Sequence, residues 1–256
     1  KGICDIVSLF LGAGHRESGP PRLYYGLCLG HRHGRFMLSD LDMMEALAMF
    51  GISYIPFLFS LCFHEYAHGF IAKIKGDNTA ELMGRLSMNP LVHMDILGTF
   101  ILPASALLLG TPFFGWAKPV PVNPGNLSEP KNDLFWIAIA GPLSNILLAC
   151  LGVAAYGFFY TGDWSQLSYL KPLLKILDIF VTFNLFLAFF NLIPLHPLDG
   201  GKVLARFLPP RANAWLEDHQ VQLQYILLFA FILGFFKYLS IPVFFVKAVM
   251  LQLVMG

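Results

Sequence analysis

The sequence predicts an all-α, polytopic membrane protein with about five to six apolar segments, a re-entrant element and a Pro-rich extended loop. Composition is the first reason. Of 256 residues, 56% are hydrophobic and only 13% are charged, against about 25% charged in an average soluble domain. The mean hydropathy is +0.63. The second reason is run length: several apolar stretches approach or exceed the roughly 20 residues that a spanning helix needs. The third is that neither an internal repeat nor a soluble domain interrupts them. A net charge of +1 gives no case for a nucleic-acid partner. Cys4, Cys28, Cys62 and Cys150 show no CxxC spacing and no paired pattern, so no disulfide framework is expected.

In chain order, residues 1–36 are rich in Gly, Arg and His and lack periodicity. Their apolar patch, Ile6 to Ala13, is too short to span. They read as a disordered or non-native segment, with Met37 as the natural start of a membrane-embedded domain over 37–256 and a core of about 45–210. The first long apolar segment is 43–74, with Pro56 as a kink. A second run, 96–110, is interrupted by Pro103 and is followed by a stretch too rich in Pro and Gly for helix. Residues 134–160 and 172–195 are good spanning helices, 221–236 is a further span, and 241–255 is a span or an interfacial helix.

The first long segment contains His64-Glu65-Tyr66-Ala67-His68, an HExxH pentad flanked by uncharged sequence. Two histidines four apart share one helical face, which puts both imidazoles on a single metal. Glu65 lies at a neighbouring azimuth, near enough to act on a water at that metal but not as a ligand. Zinc lowers the pKa of such a water to about 7, and a carboxylate can take its proton as it attacks a carbonyl. The alternative is that the histidines are only buried polar residues. That explains poorly why three ionisable groups fall within five residues of a membrane segment, where each is costly.

A catalytic zinc takes three protein ligands. His93, Asp95, Asp178, His196 and Asp199 are candidates for the third. Asp199 stands out because it ends NLIPLHPLD, and the glycines after it allow a tight turn and close backbone approach. An N-cap for a helix starting near Lys202 is its bland alternative. His196 reads as a polar residue at the membrane edge. His93 and Asp95 lie in a polar junction that could line the site.

HEYAH in one apolar helix, AGPLSN opening a second and NLIPLHPLDGG closing a third resemble the site-2 protease family of intramembrane zinc metalloproteases. FGWAKPVPVNP is similar to the short prokaryotic branch that lacks a PDZ insertion. The resemblance covers roughly residues 45–210. It implies one zinc ion per chain on His64, His68 and Asp199, with Glu65 as general base. It also implies a place near the site for Asn191 and a supporting one for Asn145. The implied activity is hydrolysis of peptide bonds in or near transmembrane segments, with membrane-protein substrates and the lipid bilayer as partners. A non-hydrolytic metal-binding membrane protein, a transporter or sensor, is the rival reading, and Glu65 argues against it. A prenyl-protein protease would draw Glu or His from other helices rather than Asp from an LDGG turn.

Topology follows from the ligands. His64, His68 and Asp199 all lie toward the C-terminal ends of their helices, so the two helices must run the same way with an odd number of crossings between them. Residues 134–160 supply one. Residues 96–110 should therefore not cross; as a helix they would rise about 22 Å, short of a core of about 30 Å. A re-entrant element is expected, with GWAKPVPVNP folded back beside the site. Its prolines leave an extended edge to which an unwound substrate strand could add. Lys and Arg gather in 73–95, 111–133 and 199–220, which predicts a cytoplasmic metal end; the resemblance to the short prokaryotic branch implies a prokaryotic cell membrane.

Overall fold

Helix α1, Asp40–Ile74, is continuous over 35 residues with Pro56 inside it. The computed structural model describes residues 40–109, 115–164 and 166–256. The chain divides into two units, Lys1–Met43 and Met44–Gly256. Only the opening turn of α1 is described in the first, so the expectations for residues 1–36 and Met37 lie outside the described residues. Pro56 cannot donate into the helix ladder. Its carbonyl accepts an added bond from Ser60 Oγ at 2.8 Å.

Past α1, a single helical turn at Thr79–Leu82 leads to the 96–110 run. That run is a π-helical turn, Ile96–Ile101, continued by α2, Leu102–Leu109. Asp95 opens it, its side chain accepting from Gly98 N. Helix α3 is Pro130–Thr161 and starts four residues before the expected 134, because proline suits the first helical position, where its missing N–H costs nothing. Helix α4 is Leu170–Asn191. Short helices α5, Asp199–Ala205, and α6, Pro210–Asp218, follow. The 221–236 run is divided. Helix α7 covers Gln220–Ile232, Gly234 takes a φ of 74°, and a 3₁₀ turn spans Phe235–Tyr238. Helix α8 is Ser240–Met255.

The described residues form an all-helical membrane protein. Three helices are long and apolar enough to cross a bilayer: Leu47–Ile74, Pro130–Thr161 and Leu170–Asn191. Their faces are sorted as lipid requires. On α3, Leu143, Leu147, Leu151 and Phe158 are exposed, while Gly141, Asn145, Ala149 and Gly152 are buried. Helix α1 packs on α4 through Phe57, Leu61 and Leu187, and on α3 through Ala72 and Ile137. Ala149, Val153, Val181, Leu185 and Val243 join α3, α4 and α8. Helix α8 is also pinned by charge: Lys247 Nζ lies 2.6 Å from an Asp178 carboxylate oxygen and 2.8 Å from Thr182 Oγ1, inside the packed helices. Asp178 is thereby committed away from the pentad.

At the far end of α1, Asp77 is fully buried and gathers the loops. It accepts from the backbone N–H of Asn123 at 2.7 Å, from Asn126 Nδ2 at 2.8 Å, and from both the N–H and the hydroxyl of Thr79. Lys75 reaches Asp133 at 3.0 Å and ties α1 to the start of α3. Burial works against charge on Asp77, but the donors of Thr79, Asn126 and Asn123 outweigh it and hold the carboxyl below the usual carboxylate range. A lowered folded-state pKa means that this stabilisation is complete above the unfolded value, about 4, and is lost as pH falls through the folded one. Asp77→Ala should cost about 1–3 kcal/mol through stranded donors. In detergent thermal melts the gap between wild type and D77A should be constant near neutrality and should narrow below about pH 4.

Candidate metal centre

His64 and His68 are buried one turn apart on α1, and their Nε2 atoms stand 3.1 Å from each other. Asp199 Oδ2 completes a triangle, 3.1 Å from His64 Nε2 and 3.2 Å from His68 Nε2. The loop after α4 brings Asp199 there. Leu198 takes the N-cap position and Asp199 the first helical one, so the carboxylate is free of the capping duty that was its alternative. The two glycines are a steric requirement. A Cβ on Gly200 would sit 2.3 Å from the Ile193 carbonyl oxygen, and one on Gly201 2.7 Å from the His196 N.

The Nδ1 atoms show what the triangle lacks. His68 Nδ1 lies 2.6 Å from the Ile137 carbonyl oxygen, which only accepts, so this nitrogen carries the proton. His64 Nδ1 lies 2.6 Å from Asn145 Oδ1, also an acceptor. In the neutral rings both Nε2 atoms are then bare lone pairs aimed at a carboxylate oxygen. Three acceptors meeting at 3.1–3.2 Å repel unless a cation lies among them. Ligands about 2.0–2.1 Å from a tetrahedral zinc stand about 3.3–3.4 Å apart, so the donor set fits such an ion with little adjustment. Among the described residues, these three alone bring ligand atoms of His, Cys, Asp or Glu together in this way.

Glu65 is half-buried beside the triangle, and its Oε2 accepts from the backbone N–H of Val120 at 2.9 Å. Val120 belongs to the Pro-rich stretch, which takes no helix or strand over 115–123. Alternate N–H groups of that stretch face the protein: Trp116 donates to Gly98 O at 3.2 Å and Lys118 to His93 O at 2.8 Å. Arg85 holds the Lys118 and Pro119 carbonyls from the side.

Of the other sequence candidates, Asn145 touches His64 as described. Asn191 Nδ2 donates to Leu187 O of its own helix at 3.0 Å. His93 is buried and donates from Nε2 to Ser87 O at 2.8 Å, supporting the Pro-rich stretch rather than the triangle. Asp95 caps the π turn. His196 is buried outside the triangle, and burial holds its imidazole below the ordinary histidine range. Sequence reasoning missed Val120, Ser60 and Asn184. The last two are lone polar residues in apolar runs, and that was the available signal.

The sequence model of peptidase family M50 matches residues 164–235, which hold Asp199 but not the pentad. "Putative zinc metalloprotease YwhC" of Bacillus subtilis is 36% identical over 186 residues, 70% of this chain and 77% of that protein. The chain belongs to peptidase family M50, the site-2 proteases. "Putative zinc metalloprotease Rip2" of Mycobacterium tuberculosis H37Rv is 28% identical over 229 residues, 86% of this chain and 82% of the relative. Stage IV sporulation protein FB of B. subtilis is 30% identical over 115 residues, 45% of this chain and 36% of that protein. No solved structure gives a significant match. This M50 peptidase is therefore a metalloprotease, and the transporter or sensor reading falls away.

Gly141 of α3 closes the site from above. A Cβ there would lie 2.4 Å from His68 Nε2 and 2.6 Å from His64 Cε1. Gly141→Ala must push the rings apart and should lower divalent-metal uptake of the purified protein at least about tenfold by metal analysis, within the range for disturbed metal shells. Gly51→Ala, with nothing within 4 Å of its Cβ, should leave uptake unchanged.

Proposed function

We propose that this M50 peptidase is an intramembrane zinc endopeptidase, its membrane-embedded domain covering residues 37–256, that cuts peptide bonds in or near transmembrane segments. The observation that carries the reading is the triangle of bare acceptors from His64, His68 and Asp199, buried among apolar spans with a carboxylate alongside. His64, His68 and Asp199 would hold one zinc ion, and Glu65 would serve as general base. Zinc at such a site supplies Lewis acidity that brings a water's pKa to about 7. Glu65 takes the proton from the attacking water and returns it to the leaving amine. The Val120 N–H, held in place by the Pro-rich stretch, keeps one carboxylate oxygen engaged and leaves the other to act. Asn145, Asn191 and His93 would be supporting groups.

Topology agrees with this. The two ligand-bearing segments meet at one level, and α3 is one crossing between them. The segment 96–109 would then be re-entrant, with Gly98 and Thr99 of its π turn buried in protein and Ile96, Leu97, Phe100 and Ile101 exposed, the apolar residues outward as membrane depth requires. Pro119 and Pro121 deprive the outer edge of the Pro-rich stretch of N–H groups at those positions, so a substrate strand laid there would donate to carbonyls rather than accept. The Lys and Arg distribution supports a cytoplasmic metal end, in what would be a prokaryotic cell membrane.

Purified protein in detergent, given zinc and a peptide with one transmembrane segment, should cleave it. Glu65→Gln should keep zinc and cleave at least about a hundredfold more slowly, as loss of a general base predicts. Equal cleavage by both would overturn the mechanism. In intact cells, a cysteine placed at Lys131 should resist an impermeant thiol reagent that labels one placed at Lys171; the reverse pattern would invert the orientation.

A further inference from the structure

Behind His64 lies a chain of polar groups in which every hydrogen has a destination. Ser60, Asn145 and Asn184 are each 0% exposed, and they come from α1, α3 and α4 respectively. Ser60 Oγ–H donates to Pro56 O at 2.8 Å. Asn184 Nδ2 donates to Ser60 Oγ and to Phe180 O, both at 2.9 Å, which spends both its hydrogens. Its Oδ1 therefore faces Asn145 as an acceptor. Asn145 Nδ2 donates to that oxygen at 2.9 Å and to Ser60 O at 3.3 Å. Asn145 Oδ1 is left to face His64 Nδ1 at 2.6 Å.

The direction of this chain is not arbitrary. Turning the Asn145 amide over would set its oxygen against Ser60 O and Asn184 Oδ1, three acceptors in contact, and its NH₂ against His64. Turning Asn184 over would set its oxygen against the Phe180 carbonyl. A buried polar network reversed at one member leaves several groups unsatisfied, at a cost that lipid surroundings do not relieve. The Pro56 and Phe180 carbonyls, which can only accept, set the sense from the far end.

We propose that Asn184, seated by Ser60, is a positioning residue for the metal centre: it orients the Asn145 amide so that His64 is protonated on Nδ1 and presents Nε2 to the metal. The assignment rests on the zinc reading above and deepens it. Neither residue touches the metal position. Each acts through Asn145, and together they carry the orientation of a ligand on α1 back to two other helices. Outer partners of this kind typically change metal affinity by 10–100-fold.

The test uses the full chain in detergent, stripped of metal, with zinc affinity read by competition against a chromophoric chelator and the ligand field read from the visible spectrum of the cobalt form. Asn184→Leu keeps the volume and deletes the network. Val181→Ala, a buried apolar change one turn away on α4, serves as the control for packing loss. Asn184→Leu should weaken zinc binding 10–100-fold and shift the cobalt bands, while Val181→Ala lowers the melting temperature with neither effect. Ser60→Ala, a smaller lesion that keeps the fold if Asn184→Leu does not, should weaken binding several-fold in the same sense. Wild-type affinity and an unshifted cobalt spectrum in Asn184→Leu or Ser60→Ala overturn the proposal, as does an equal loss in Val181→Ala. Failure of the zinc reading looks different: wild type would bind no zinc, or His64→Ala would bind it as well as wild type does.

Discussion

A polar group buried in an apolar slab can bond only to protein, and the arrangement of α1, α3 and α4 follows from that constraint. Each helix carries a few groups that lipid cannot solvate: Ser60, His64 and His68 on α1, Asn145 on α3, Asn184 on α4. They satisfy one another across the helix contacts, so polar pairing sets the relative register that apolar packing alone leaves loose. Phe57, Leu61, Leu187 and Ile137 fill the remaining contact. The exposed leucines and phenylalanines of the same helices need no partner, because lipid is as apolar as they are.

The same constraint makes the active end polar without making it open. Three acceptors converge where no protein donor among the described residues meets them, and the metalloprotease family to which the chain belongs supplies the reason for such a defect. A site of this sort is an exception to the rule that buried polar atoms are paired. The groups around it are held by hydrogen bonds of their own: His68 is tied to Ile137, His64 to Asn145, Glu65 to Val120. Glycine at position 141 leaves room for the two rings, and glycine at 200 and 201 lets the Asp199 turn press against its own backbone.

Much of this was legible in the chain, for reasons that differ by residue. The pentad could be read because its chemistry is local: four residues of helix put two imidazoles together whatever the rest of the fold does. Asp199 could be ranked because glycine pairs mark close backbone approach. The spanning helices were legible from composition, although α3 begins earlier and α4 ends at Asn191 rather than continuing to 195. What was not legible is relational. Asn184 in IFVTFNLFLAFF stands out as a lone amide, but its partners on α1 and α3 are 124 and 39 residues away in sequence, and only the packed helices bring them together. Val120 offers no side-chain chemistry at all; its contribution to Glu65 is a backbone N–H between two prolines.

Lys247 bears on how the molecule is made. Helix α8 has 16 residues, with a cation at its middle that is expensive to bring into hydrocarbon alone. The charge finds its partners in Asp178 and Thr182, on a helix about 69 residues earlier in the chain. The cost of desolvating Lys247 is therefore offset only once α8 lies against α4, which couples the placement of one helix to that of the other. An apolar helix that would be penalised for its cation when alone loses that penalty by docking beside Asp178 and Thr182.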